Sequence, residues 1–287
     1  MITFIVAAFQ AVNPHLMDIG PKGRVMSPMG YTDTSTGRGA TPDDIAKAAD
    51  GVRFVFVGES HNNPDHHKAQ AAVIEALVKR GRDVCVGLEM FTRDNQASLN
   101  GWTLGWWTDE EFQIKSDWKK QWGFPYPLYK PVFDVIKQNG LPMAALNVPR
   151  DWVRQVGKNG PSAITPEQKK WVPDLDLGNK THRSIFDALI GGHPASGADK
   201  MYAGMVTWDT GMAQSAMDFM GSSTNKKRVM VIVVGSSHTL YGQGINWRIQ
   251  RKTGERMVNV ACVDSDKPVE VSRGIGDFVF VAPPGKE

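Results

Sequence analysis

Two short hydrophobic runs in this sequence end in the same way. Residues 52–57 lead into Gly58–His61, which reads Gly-Glu-Ser-His, and residues 229–234 lead into Gly235–His238, which reads Gly-Ser-Ser-His. Both runs are rich in valine and apolar at successive positions, which is typical of strands buried on both faces of a parallel sheet. Each histidine is therefore predicted to lie where a strand gives way to a loop. That is where open α/β sheets bind ligands.

The rest of the sequence predicts further elements of the same α/β pattern. Thr41-Pro42 and Asn63-Pro64 have the cap-then-proline order of a helix start, and each such helix lies beside a predicted strand. Additional strands are predicted at residues 84–88, 141–147, 257–263 and 277–281. The fold class is α/β, with a mainly parallel central sheet, flanking helices and an inserted helical, aromatic-rich lid.

The 287 residues are enough to bury a large core. We interpret residues 1–40 as an irregular N-terminal arm, because they are rich in Gly, Pro, Ser and Thr and show no periodicity. Residues 41–287 are interpreted as a single α/β domain with helical insertions at about 92–140 and 150–222.

Five polar side chains follow the predicted strands. Glu59 and His61 follow the first strand, Glu89 directly follows residues 84–88, Arg150 comes just after residues 141–147, and His238 follows the late strand. Right-handed crossovers bring the ends of parallel strands to one edge of a sheet. We therefore expect these five side chains to converge on one site.

Residues 102–133 have an unusual composition, because they hold five of the nine tryptophans as well as several tyrosines and phenylalanines. Aromatic side chains supply broad, flat contact surfaces, so a lid over a planar ligand or a dimer interface would have this composition. A helical region that simply packs with large residues is the alternative interpretation.

The bulk composition excludes some classes of protein. No apolar run approaches the roughly 18 residues of a membrane-spanning helix, so an integral membrane span is not expected. The formal charge is +3 and the basic residues are scattered, which does not indicate nucleic-acid binding. Residues 1–11 are apolar but lack a positively charged start, so no clear signal peptide is predicted. Cys85 and Cys262 lie in predicted core strands and form no metal-binding spacing.

The residue types at the strand ends are compatible with more than one chemistry. Glu59, His61, Glu89 and His238 provide two carboxylates and two imidazoles, which could bind a divalent metal ion or act as acid and base. The four residues have no fixed metal-ligand spacing. A Walker loop, a Gly-x-Ser-x-Gly elbow and a His-Glu-x-x-His motif are all absent from the sequence.

Taken together, these motifs resemble the ChaN-like iron-regulated, haem-binding proteins. That family belongs to a wider group with the Tiki metalloproteases and the erythromycin esterases, whose members share an early Gly-x-x-His, a glutamate after the next strand and a late Gly-x-x-His. The resemblance covers roughly residues 50–265. It is carried by Gly58–His61 with Asn63, His66, His67 and Gln70; by Leu88–Phe91 with Arg93 and Gln96; by Trp122, Tyr126–Tyr129 and Asn147–Arg150; and by Trp208-Asp209, Met212-Ala213, Gly235–His238 and Gly244-Ile245.

The resemblance implies haem binding in bacterial iron acquisition, at the cell envelope and often as a lipoprotein, although this sequence has no lipobox cysteine near its start. Histidine or tyrosine can hold haem iron. The candidate haem-contacting residues are His61, His66, His67, Tyr129, Arg150, His238 and Tyr241, with Arg150 and His67 assigned to the propionates. A homodimer is expected. Two alternatives remain open: a metal-dependent hydrolase using Glu59, His61, Glu89 and His238, and a scaffold with a decayed site that only binds partners.

Overall fold

A computed structural model of the chain describes residues 12–191, 197–223, 225 and 227–286. Residues 1–11, for which no clear signal peptide is predicted, lie outside this range. The strands are β1 (Arg24–Ser27), β2 (Gly30–Asp33), β3 (Arg38–Ala40), β4 (Phe54–Val57), β5 (Asp83–Thr92), β6 (Met143–Asn147), β7 (Arg228–Val233), β8 (Val258–Asp264), β9 (Val269–Ser272) and β10 (Phe278–Ala282). The helices are α1 (Pro42–Ala48), α2 (Pro64–Lys79), α3 (Gln96–Thr103), α4 (Asp109–Lys115), α5 (Trp118–Gln121), α6 (Tyr126–Asn139), α7 (Arg150–Asn159), α8 (Lys180–Leu189), α9 (Ala198–Gly221) and α10 (Ile245–Thr253).

Eight strands form one sheet in the order β3-β2-β10-β8-β4-β7-β5-β6. The six strands from β10 to β6 are parallel, whereas β2 and β3 are antiparallel to their neighbours. This arrangement confirms the prediction of an α/β fold with a mainly parallel sheet. The two runs that end in Gly-x-x-His are β4 and β7, and they pair directly with each other.

The strands are apolar at successive positions because helices cover both faces of the sheet. Val55 and Val57 of β4 join a core that includes side chains of α1, α2 and α6. Phe54 and Phe56, which point to the opposite face, join a core that includes side chains of α9 and α10. With both faces covered, neither set of side chains can be polar, as the sequence pattern indicated.

The interpretation of residues 1–40 as an irregular arm is wrong for residues 24–40, which contain β1, β2 and β3. These strands lack an apolar alternation because polar side chains occupy their inner positions. Ser27 and Thr32 are fully buried and their hydroxyl groups lie 2.8 Å apart, so each satisfies the other. The strands pair with the far end of the chain, β1 with β9 and β2 with β10, which no local pattern indicates.

Strand β5 is longer than predicted and continues past Glu89 to Thr92. Its pairing with β7 extends to Leu88, and its pairing with β6 shifts register between Leu88 and Thr92. Glu89 therefore lies within an irregular stretch of the strand and not after its end. Such irregularities reorient side chains and are common beside functional sites.

The helices between β5 and β6 span residues 96–139, and those between β6 and β7 span residues 150–221. Helices α7 and α9 pack closely at two glycines. A Cβ on Gly157 would lie 3.3 Å from the Lys200 carbonyl oxygen, and one on Gly204 would lie 3.3 Å from Val153 Cγ1. Within the described residues, no helix is both long enough and apolar enough to cross a membrane.

Most of the aromatic side chains between residues 102 and 133 belong to the core. Trp102, Phe112, Trp118, Tyr126, Tyr129 and Phe133 are buried and pack with residues of the sheet and of α2. The predicted aromatic lid is therefore largely a packing region. Trp122, which is also buried in this core, and Phe124 bear directly on the site, because both line a large cleft.

Candidate functional site

The two Gly-x-x-His loops lie in contact at the ends of β4 and β7. A Cβ added to Gly58 would lie 2.5 Å from Ser236 Oγ, and one added to Gly235 would lie 2.9 Å from His61 Cε1. The backbone amide of Ser236 also donates to the Glu59 carbonyl oxygen at 2.9 Å. The glycine of each motif is therefore needed because the other loop passes close to its backbone.

Glu59 is the centre of the first half of the site. Its carboxylate is buried and accepts hydrogen bonds from Tyr129 Oη at 2.7 Å and from Gln70 Nε2 at 2.8 Å. His61 Nδ1 lies 2.7 Å from one oxygen and His67 Nδ1 lies 3.3 Å from the other. Burial alone would raise the pKa of Glu59, but the hydrogen bonds from His61 and His67 outweigh burial and hold that pKa far below its usual value.

His61 is the more exposed of the two motif histidines, with 32% of its side chain accessible. Its ring meets Trp122 edge-on at 4.6 Å between centroids and Phe124 at 5.1 Å. Burial lowers the pKa of His61, but the hydrogen bond to Glu59 and the charge of Glu89 raise that pKa above its usual value overall. Since Nδ1 is occupied by Glu59, the Nε2 atom is the ring nitrogen without a hydrogen-bond partner among the described residues.

His238 is the centre of the second half of the site and is held by two carboxylates. Its Nδ1 lies 2.6 Å from Asp209 Oδ1 and its Nε2 lies 3.3 Å from Glu89 Oε1. Burial would lower the pKa of His238, but Glu89 and Asp209 raise that pKa to about 10. Glu89 is fixed in turn by the Gly235 amide, which donates to Oε2 at 2.6 Å. His238 is therefore an imidazolium at neutral pH, with both of its N–H groups engaged.

Asp209 was not among the residues predicted for the site, although it has the most partners in this half. Besides His238 it contacts His182 Nε2 at 3.1 Å and Arg248 Nη1 at 3.4 Å, and it is fully buried. Burial alone would raise the pKa of Asp209, but the positive charge of His238 and the hydrogen bonds from both histidines lower it strongly. A sequence signal was available, because an aspartate within the apolar helix α9 requires a buried partner.

The two halves meet at a cleft of about 1120 Å³, into which His61, Glu89 and His238 face. One wall is made by residues 120–124, and the opposite wall by α7 and α9. The cleft is larger than most pockets for small molecules, which are 300–1,000 Å³. Its apolar lining is Met90, Trp122, Phe124, Val148, Pro149, Val153, Phe186, Met201, Met205 and Trp208. Its basic lining is Lys120, Arg150, Arg154 and Lys200, and its acidic lining is Glu89, Asp94 and Asp151.

Four of the predicted haem-contacting residues do not line this cleft. Tyr129 is fully buried and its hydroxyl donates to Glu59. His67 is buried against the Tyr129 ring, with its Nε2 3.2 Å from the His61 carbonyl oxygen. His66 Nδ1 accepts a hydrogen bond from the Ser60 amide at 2.9 Å. The Tyr241 hydroxyl donates to the Pro14 carbonyl oxygen at 2.9 Å. These side chains support the loops and the N-terminal segment, and are not positioned to contact a ligand in the cleft.

Arg150 does line the cleft, at the first position of α7. Its Nη2 donates to the Gln121 carbonyl oxygen at 2.9 Å and lies 3.5 Å from that of Trp122. The guanidinium group therefore reaches from one wall of the cleft to the other.

The predicted metal set is not assembled as a metal centre. Across the described part of the chain, no group of three His, Cys, Asp or Glu side chains has a geometry that could hold a metal ion. The carboxylates of Glu59 and Glu89 are already engaged by the donors named above, which leaves them little capacity to coordinate a cation. The hydrolase alternative gains no support from this geometry.

A family model described as haem-binding uptake, Tiki superfamily, ChaN matches residues 45–249. The match covers more than half of the chain and includes both Gly-x-x-His loops, Glu89, Arg150 and Asp209. No curated protein sequence is significantly similar to the chain.

A solved structure shares the fold at low sequence identity, and two others show weaker similarity. The structure of cofacial haem binding to ChaN of Campylobacter jejuni superposes with a TM-score of 0.65 at 18% identity, covering 88% of this chain and 96% of that one. The C-terminal region of Pasteurella multocida toxin gives a TM-score of 0.47 at 11% identity, with 84% and 27% covered. The erythromycin esterase EreC gives 0.43 at 11% identity, with 84% and 76% covered.

Proposed function

The chain belongs to the ChaN family of haem-binding uptake proteins in the Tiki superfamily, and from this premise we propose that it binds haem, as the cargo of iron acquisition, in the cleft between residues 120–124 and helices α7 and α9. The observation that carries the proposal is the combination of one accessible imidazole, flat aromatic side chains and several basic side chains within a single cleft. A planar, largely apolar macrocycle with two carboxylates requires these three features.

We propose His61 as the residue that binds the haem iron. Its Nδ1 faces Glu59, which selects the tautomer whose Nε2 carries the free electron pair, as carboxylates do for metal-bound histidines. His238 is less suited to this role, because its two nitrogens face Asp209 and Glu89 and its pKa of about 10 keeps it protonated. The burial of Tyr129 and the contacts of Tyr241 argue against either tyrosine as the ligand.

The remaining lining fits the other parts of haem. Trp122, Phe124 and Trp208 offer aromatic surface to the macrocycle. Arg154 and Lys200 extend from the opposite wall, and Lys120 from the aromatic wall, so a propionate at the mouth of the cleft would meet positive charge. His67 is too deeply buried for the propionate role that the sequence suggested.

The family also supports proposals that concern the setting of the protein. We propose that it is iron-regulated and acts at the cell envelope, because the resemblance to ChaN-like proteins implies both. We also propose that it forms a homodimer, on the basis of the paired Gly-x-x-His loops and the aromatic segment. Size-exclusion chromatography with light scattering, with and without one equivalent of haemin, tests the dimer. A monomer at every haemin ratio would exclude the dimer.

Titration of the purified protein with haemin, followed in the Soret region, tests haem binding directly. We expect saturable binding to the wild-type chain. We expect His61→Ala to lower the affinity by more than about 100-fold, because even residues that only support metal ligands contribute 10–100-fold. His238→Gln is the matched control and should keep the Soret position of the wild-type complex. Absence of a saturable Soret shift in the wild type would exclude the proposed function, whereas an unchanged spectrum in His61→Ala would exclude only the assignment of His61.

A further inference from the structure

Arg150 connects helix α7 with the end of helix α5. It is the first residue of α7, shortly after β6, and its guanidinium group reaches the last residue of α5 and the start of the loop that leads to α6. There it donates to the Gln121 carbonyl oxygen at 2.9 Å, and the Trp122 carbonyl oxygen lies 3.5 Å away. The two walls of the cleft are thus joined by one side chain.

The loop that Arg150 reaches carries the aromatic side chains nearest to His61. Trp122 and Phe124 contact the His61 ring at 4.6 and 5.1 Å between centroids. Between them lies Gly123, whose φ of +89° marks a left-handed turn. Helix α5 fixes this loop through the Trp118 indole, which donates to the Phe124 carbonyl oxygen at 2.7 Å. Arg150 provides the corresponding support from the opposite wall.

We propose that Arg150 is a positioning residue for ligand retention: its guanidinium group ties the loop of residues 121–124 to α7 and so keeps Trp122 and Phe124 against His61. This inference rests on the proposed haem-binding function. It assigns Arg150 a role different from the propionate contact that the sequence suggested. Arginine suits this role because its rigid, planar guanidinium group places Nη2 2.9 Å from the Gln121 carbonyl oxygen and 3.5 Å from that of Trp122, whereas a lysine ammonium on a flexible stem does not hold a donor in a fixed position.

Arg154 provides a matched comparison within the same helix. It lies one turn after Arg150, also lines the cleft and has the same charge. Its guanidinium group bonds to Asp151 at 3.2 Å, with 77% of the side chain exposed, and makes no contact with residues 121–124 among the described hydrogen bonds. A role that depends on charge alone would be shared by both arginines, but a role in bridging the walls belongs to Arg150.

Amide hydrogen exchange of the haem-free protein tests the bridge without requiring any ligand. The amides of Trp122 and Gly123 both donate to the Trp118 carbonyl oxygen, so they report whether the loop stays closed. We expect exchange over residues 118–125 to be about tenfold faster in Arg150→Lys and Arg150→Gln, the effect of losing a hydrogen bond from a charged donor. Arg154→Gln should leave exchange in this segment unchanged. Equal exchange in Arg150→Lys and the wild type would overturn the proposal, whether or not the protein binds haem.

Dissociation of haemin and of haemin dimethyl ester, measured by transfer to an excess of apomyoglobin, tests the consequence for retention. We expect Arg150→Lys to accelerate loss of both compounds by about tenfold, because the bridge does not depend on the propionates. Arg154→Gln should accelerate loss of haemin only. If esterification abolishes the effect of Arg150→Lys, or if the variant releases haemin at the wild-type rate, Arg150 does not act through the loop. Failure of the wild type to bind haemin would instead refute the function on which this test depends. Circular dichroism of each variant confirms that it is folded.

Discussion

The two Gly-x-x-His loops have the same spacing but give their histidines different surroundings. His61 follows β4, has 32% of its side chain exposed, and has one nitrogen bound to a carboxylate from its own loop. His238 follows the neighbouring strand β7, is 7% exposed, and has both nitrogens bound to carboxylates from distant segments. Glu59 thus engages one nitrogen of His61 and leaves the other without a partner among the described residues, whereas Glu89 and Asp209 hold the His238 imidazole as a buried cation.

This difference shows that the Gly-x-x-His motif determines where each histidine lies. The residues that contact the histidine determine its exposure and its pKa. Both histidines lie at the same edge of the sheet because β4 and β7 are paired. The ring of His61 keeps a free nitrogen because no described residue forms a hydrogen bond with its Nε2. The ring of His238 is enclosed by α9, which supplies Asp209. We therefore expect substitutions of Glu59 and His61 to change mainly ligand binding, and substitutions of Asp209 and His238 to change mainly stability.

The largest expected effect is that of Asp209→Asn on stability. The substitution removes the charge that faces His238, His182 and Arg248, and a buried ion pair that loses one partner costs about 3–5 kcal/mol. Chemical denaturation at pH 7 measures the free energy of unfolding. Asp199→Asn, at an exposed position of the same helix, is the control and should change it by less than about 0.5 kcal/mol. A loss below about 1 kcal/mol for Asp209→Asn would mean that the carboxylate does not hold a cation.

The second expected effect is a fall in stability with rising pH that depends on His238. The carboxylates Glu89 and Asp209 raise the folded-state pKa to about 10, above the usual 6.5, so folding binds a proton between these values. The resulting stability is complete below about pH 6.5 and is lost as the pH rises toward 10, at no more than about 1.4 kcal/mol per pH unit.

Denaturation of the wild type and of His238→Gln between pH 7 and 9 measures this term, since the variant lacks the titrating group. Arg248 and His182 also contact Asp209 and are present in both proteins. We expect the difference in stability between the two proteins to shrink as the pH rises. A constant difference would mean that His238 is not protonated in the folded state.

The third expected effect concerns the first half of the site and appears in ligand affinity. Glu59→Gln removes the charge that orients His61 Nδ1, and the loss of such a supporting carboxylate typically lowers metal affinity 10–100-fold. Glu89→Gln, the corresponding change in the second half, should lower haemin affinity less than fivefold, because Glu89 fixes His238 and not His61. Equal losses in the two variants would show that the halves do not divide their roles in this way.

The strands of the central sheet could be predicted from the sequence because their pattern is local. The runs at residues 54–57 and 228–233 are apolar on both faces, and two layers of helices explain that pattern. Right-handed crossovers also predicted that Glu59, Glu89 and the two motif histidines would share an edge, and the structure brings them together.

Other features depend on contacts between distant residues and left no local pattern. Strand β2 pairs with β10 across more than 240 positions. Its inward Thr32 can be polar because its hydroxyl group forms a hydrogen bond with Ser27. Asp209 reaches His238 from 29 positions away. The sequence also did not determine how exposed each imidazole is or how many carboxylates it contacts. The two Gly-x-x-His motifs have identical spacing, but His61 is partly exposed with one such partner and His238 is buried with two. Tyr129 was proposed as an iron ligand for its chemistry, but its contact with Glu59 depends on how α6 packs against the loop.

The smallest expected effect comes from the serines that precede the two histidines. The Ser60 hydroxyl donates to the Asp264 carboxylate and so ties the first loop to β8, whereas no hydrogen bond of the Ser237 hydroxyl occurs among the described residues. Removing a hydrogen bond to a charged group at a partly exposed position costs about 1 kcal/mol, and removing an unbonded hydroxyl costs about 0–0.5 kcal/mol. Thermal unfolding of Ser60→Ala and Ser237→Ala compares them. The first loop is held from the neighbouring strand and the second from α9, so Ser60→Ala should be the more destabilising substitution. If Ser237→Ala were the more destabilising, the hydrogen bond of Ser60 to Asp264 would not be what holds the first loop.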